Sequence, residues 1–78
     1  MNAGRTTLRF DSKALYDALD ARRISRDLSW KQVAAETGVS GSTLMRTRLG
    51  GRMEVDGVLA MVTWLGVTVE TFARDTRR

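Results

Sequence analysis

Glycine punctuates this chain, and that punctuation restricts its fold more than any other feature. Gly38, the pair Gly50-Gly51 and Gly66 each close a short segment that opens on a residue able to cap a helix. Helix C-termini commonly finish on a left-handed residue, which glycine adopts without steric cost. Ser, Thr, Asp and Asn side chains satisfy the free amides at the other end. The brackets therefore cut the chain into short helices, which hold only if each buries an apolar stripe against its neighbours.

Residues 1–11, with Gly4 and the run Thr6-Thr7-Leu8-Arg9-Phe10, read as an arm or a short strand. Asp11 or Ser12 caps a first helix over about 12–25, on which Leu15, Leu19 and the stem of Arg22 share a face. Ile24 falls off that face, so the helix ends near it. Ser29-Trp30-Lys31-Gln32 has the form of a capping box and opens a helix over 30–37 that Gly38 closes. Ser40 caps a third helix over 41–49. Asp56 caps a fourth over 56–65, where Val58, Met61, Val62 and Leu65 form a buried stripe. Thr68 caps a last short turn through Val69 and Phe72, and the basic tail 74–78 frays. The expected class is all-α: a compact five-helix bundle over residues 12–73.

Composition narrows the function. The 78 residues contain no Cys and no His. That removes disulfides, thiolate and imidazole metal sites, and Cys- or His-based catalysis. No nucleophile–base pair is visible, so neither an enzyme, a cofactor nor a metal is expected. No apolar run reaches the ~18 residues of a membrane span and no leader precedes the first helix, which makes the cytoplasm the expected compartment. Net charge is +4, a balance that suits a polyanion as partner. Its distribution says more than its total. Residues 40–52 hold Arg46, Arg48 and Arg52 with no acid, whereas residues 53–73 hold Glu54, Asp56 and Glu70 with no base.

Two short helices joined by a tight glycine turn make a helix-turn-helix, and close crossing of the two demands particular residue sizes. A small residue must stand four positions before the glycine, with apolar residues just before it, just after the glycine and on the inner face of the second helix. Ala34, Val33, Gly38, Val39 and Leu44 meet these demands. Thr37 and Thr47 are polar at two further inner positions.

With Leu28-Ser29 opening helix two, the run Gly38-Val39-Ser40-Gly41-Ser42-Thr43-Leu44, Gly50 closing helix three and Leu65-Gly66-Val67-Thr68 near the end, the chain resembles the Cro and phage-repressor-like helix-turn-helix family. This is the xenobiotic-response-element class, with a lambda-repressor-like fold. The resemblance spans about residues 12–73, with the motif at about 30–49. It implies binding to double-stranded DNA as a small transcriptional regulator, expected to be a repressor, with recognition helix 41–49 in the major groove and helix two bridging the backbone.

A helical wheel turns Ser40, Thr43, Leu44 and Thr47 inward and Gly41, Ser42, Met45, Arg46 and Leu49 outward. Arg46 can fork onto guanine O6 and N7. Gly41 and Ser42 stand where the family reads bases, and Met45 and Leu49 could touch thymine methyls. The expected base contacts are thus Gly41, Ser42, Met45 and Arg46. Phosphate contacts are expected from Ser29, Trp30, Lys31, Thr43, Arg48 and Arg52, around the helix N-termini. Trp30 occupies a family position that usually meets phosphate, and packing against helix three is its other reading.

One departure from the family stands out. Members often pair an Arg late in helix one with a Glu near the end of the recognition helix. Here those positions are Arg23 and Arg48. Arg23 is expected to turn to Asp20, Asp27 or Glu36, and Arg48 to solvent or phosphate. Leu59, Ala60 and Trp64 on the fourth helix make a candidate dimer interface, so a homodimer is expected. The competing reading is a protein-interaction module, antitoxin-like or adaptor, using Met45, Leu49 and Trp64. No small-molecule effector is evident.

Overall fold

The computed structural model describes residues 8–75. Within them, a short strand β1 (Leu8–Phe10) leads into α1 (Ser12–Ser25), α2 (Trp30–Thr37), α3 (Gly41–Arg48) and α4 (Val55–Leu65). A 3₁₀ turn, Val69–Phe72, then delivers the chain to β2 (Ala73–Asp75). The fold is mostly helical, with one small two-stranded sheet. No helix among the described residues is long and apolar enough to cross a membrane.

Local chemistry accounts for most boundaries. The Asp11 carboxylate accepts from the Ala14 amide at 3.0 Å, which starts α1. At α2 both halves of the capping box form: Ser29 Oγ accepts from Gln32 N at 3.1 Å, and Gln32 Oε1 accepts from Ser29 N at 2.7 Å. Gly38 closes α2 in the left-handed region at φ +76°, and a Cβ there would meet nothing within 4 Å. The position therefore requires a glycine conformation, not glycine's small size.

The end of α1 has no glycine. Asp27 takes the left-handed place at φ +57°. Its amide donates to the Ile24 carbonyl at 3.0 Å, and the Leu28 amide donates to the Arg23 carbonyl at 2.9 Å. This is the Schellman arrangement with aspartate where glycine is usual.

Leu15 and Leu19 of α1, Val33 of α2, Leu44 of α3 and Met61 of α4 are fully buried and define the core. Val39, Val58, Val62, Leu65 and Phe72 close around them. The two inner threonines are satisfied locally. Thr47 is fully buried and donates to the Leu44 carbonyl at 2.6 Å. Thr37 donates to the Val33 carbonyl at 2.9 Å and accepts from the Val39 amide at 3.1 Å, which ties the end of α2 to its turn.

Side-chain clamps add to the core. Arg22 donates to the Leu65 carbonyl at 3.3 Å, at the negative end of the α4 dipole. Glu36 of α2 joins the end of α1 to α4: Arg26 donates to both its oxygens, at 2.9 and 3.2 Å, and the Trp64 indole donates at 2.8 Å. The Trp64 and Arg26 hydrogen bonds hold the Glu36 carboxyl below its ordinary pKa.

Four expectations need correction. The fifth helix is a single 3₁₀ turn, and Thr68 precedes it without a side-chain capping bond. Asp56 lies inside the first turn of α4, which begins after Glu54, also without a side-chain cap. Leu49 is the C-cap of α3 and not part of it. Arg74 and Asp75, expected to fray, form with Ala73 a strand that pairs antiparallel with β1 in the register Leu8↔Asp75, Arg9↔Arg74, Phe10↔Ala73. The sheet is tied to the core by the Phe10–Phe72 edge contact, with ring centroids 6.0 Å apart, and by the Asp11 amide on the Phe72 carbonyl at 2.8 Å. Residues 1–7 of the expected arm and 76–78 of the expected tail lie outside the described residues.

Two stability predictions follow from the helix ends. Gly38→Ala forces an L side chain into the left-handed region and lowers unfolding free energy by about 1–2 kcal/mol in urea titration. Asp27→Gly relieves the opposite mismatch and raises it, by up to about 1 kcal/mol. A third concerns pH. Because the folded-state pKa of Glu36 is depressed, its contribution is present above the unfolded pKa and fades as pH falls through the folded value. Replacing Glu36 with Gln should flatten that acid limb in chemical denaturation followed from about pH 6 down to about pH 3.

Candidate nucleic-acid interface

Burying Leu44 and Thr47 commits one side of α3 to the core and leaves the other side to solvent. Ser40 sets the start of the helix: its Oγ accepts from the Thr43 amide at 3.2 Å and donates to the Thr43 hydroxyl at 2.9 Å. Gly41, Ser42 and Arg46 are exposed. A Cβ at Gly41 would meet nothing within 4 Å, so that part of the helix offers bare backbone. Ser42 Oγ stands 3.3 Å from Ser40 Oγ. Leu49, just past the helix, is 71% exposed.

Met45 departs from the wheel. It is half-buried and packs against the core, because its long flexible side chain reaches the apolar interior from a border position. It leaves the outward set. Thr43 is half-buried, with its methyl group 3.8 Å from where a Cβ on Gly57 would lie. Of the residues turned outward on the wheel, those left exposed are therefore Gly41, Ser42 and Arg46, with Leu49 just past the helix.

The cations divide into two groups. Arg23 donates to Asp20 at 2.7 and 3.0 Å, one of the three partners expected for it, and to the Leu28 carbonyl at 3.0 Å. Arg22 and Arg26 are held as described above, and Arg74 comes within 3.9 Å of Asp11. By contrast, Lys31, Arg46, Arg48 and Arg52, and outside the motif Arg9 and Lys13, are exposed and have no acidic partner among the described residues. Arg46 and Arg48 lie in the last turn of α3, where positive charge is favourable to the helix dipole.

Of the remaining phosphate candidates, Ser29 is exposed but engaged in the capping box. Trp30 is half-buried and packs against the core. Its ring stacks on Tyr16 of α1 with centroids 5.2 Å apart and an interplanar angle of 18°. The Arg23 guanidinium lies 5.0 Å from the Trp30 centroid, over the ring face.

Leu59, Ala60 and Trp64 come together on α4, where with Thr37, Thr63 and Glu36 they line a shallow cleft of about 320 Å³. Leu59 is 47% exposed, while Ala60 and Trp64 are half-buried. A feature that the sequence reading missed is larger. An open groove of about 660 Å³ runs between β1, the Gly50–Met53 segment and the first turns of α4. It draws on segments far apart in the chain, so no local pattern announces it.

Compared with family models, curated proteins and solved structures, the chain has no significant match.

Proposed function

We propose that this protein binds double-stranded DNA with a sequence preference, as a small transcriptional repressor, through a helix-turn-helix formed by α2, residues 38–40 and α3. One observation carries the reading: Arg46 and Arg48 in the last turn of α3, Arg52 shortly after it and Lys31 in the first turn of α2 stand exposed with no acidic partner among the described residues, while Arg22, Arg23, Arg26 and Arg74 are engaged elsewhere. Unpaired exposed cations beside an exposed short helix suit phosphates flanking a groove.

In this reading α3 enters the major groove. Arg46 is the principal base reader, Ser42 a weaker one, and Gly41 lets the backbone approach. Lys31, Arg48 and Arg52 meet phosphate, with Ser29 and Thr43 at the helix N-termini beside them. With so few specific readers, discrimination draws on repetition. A homodimer through Leu59, Ala60 and Trp64 would set two α3 helices on half-sites about 34 Å apart. The competing protein-interaction reading through Met45, Leu49 and Trp64 has less support. Met45 packs on the core, which leaves that reading little exposed surface there.

Selection from a random duplex library at two salt concentrations tests this directly. Enrichment of a pseudo-palindrome is expected, with affinity falling steeply as salt rises. Arg46→Ala should lose about 1–3 kcal/mol of discrimination at one base step. Arg52→Ala should weaken all sequences alike and reduce the salt slope by about one. Binding that is flat with salt, or a library that yields no motif, would refute the proposal.

A further inference from the structure

The groove beside β1 has two properties that the fold itself does not use. The first is a free strand edge. The Asp11 amide bonds to the Phe72 carbonyl, so Asp11 and Phe72 form a hydrogen-bonded pair of the ladder. Such pairs alternate along an antiparallel ladder. In the observed register, Arg9 therefore turns its N–H and C=O toward β2, while Leu8 and Phe10 turn theirs outward. Those outward groups have no hydrogen-bond partner among the described residues. All three residues of β1 line the groove, so it runs along this open edge. Its floor is apolar: Phe10, Met53, Val55, Val58, Leu59 and Val69. Val55 is 71% exposed and Leu8 61%.

The second property is charge. Arg9 stands directly opposite Arg74 on one face of the sheet. Like charges so placed repel. Arg74 is relieved by Asp11 at 3.9 Å, whereas Arg9 has no acidic partner among the described residues. Arg52 on the groove's rim has none either.

We infer that the groove accepts an extended segment of a partner protein as a third strand beside β1, with an apolar–acidic–apolar alternation. An added strand lies about 4.8 Å away and pairs with the outward groups of Leu8 and Phe10. Its residues opposite Leu8 and Phe10 share their face of the sheet and point to the apolar floor. The residue between them stands opposite Arg9, and an acid there relieves the arginine pair. Charge also argues against a second copy of this chain as occupant. The antiparallel register that uses all the outward groups of two β1 strands places Arg9 against Arg9.

The test uses the full chain without DNA, so its outcome is independent of the DNA reading. A displayed library of random segments about ten residues long is selected on the wild type and on Arg9→Glu. Arg9 is exposed, and unchanged circular dichroism certifies the variant. Selected segments should alternate apolar–acidic–apolar on the wild type and apolar–basic–apolar on Arg9→Glu. Each synthetic peptide should lose about fivefold to tenfold in affinity on the other protein. Arg9→Ala should lose the acidic preference without reversing it. By NMR, the bound peptide should slow exchange of the Leu8 and Phe10 amides and leave that of Arg9 little changed. Three results would overturn the inference: no enrichment, enriched peptides that bind both proteins equally, or protection of Leu8 and Phe10 that rises with concentration of the protein alone. The last would make a second copy the occupant.

Discussion

Everything in this fold leans on the buried face of α1. Leu15 and Leu19 have no exposed surface, and α3, α4 and the 3₁₀ turn all pack against their helix. A chain of this size buries only about 60–65% of the surface it exposes when unfolded, so it has little apolar area to spare. Each helix must therefore serve the core with one side and leave the other side free for something else. The division is sharpest on α3, where Leu44 and Thr47 are wholly enclosed while Arg46 and Arg48 remain in solvent.

Much of this was readable in advance because the deciding interactions are local. A serine and a glutamine three residues apart suffice for the start of α2, and a left-handed glycine for its end. The stripe Val58, Met61, Val62 and Leu65 is buried on α4 as its spacing implies. Arg23 turns to Asp20, a partner within one helical turn.

The features that the sequence did not announce share a different cause. Aspartate in a left-handed position leaves no mark in sequence comparable to a glycine's. The strand Ala73–Asp75 looks like loose basic tail until Leu8–Phe10 is laid beside it, and no local signal joins segments so far apart. Met45 sits at the border of a wheel, where the reach of its side chain decides what its angle does not. Trp30 stacks on Tyr16 across a helix boundary that periodicity does not see. For the proposed interface, residue types and order mark α3, but the pairing state of each cation emerges only from three dimensions.

The sheet has a consequence for how the molecule connects to anything attached to it. Leu8 and Asp75 are opposite one another in the ladder, so the two ends of the described fold lie side by side. A body whose two ends emerge together can be set into a loop of a host protein without straining either partner.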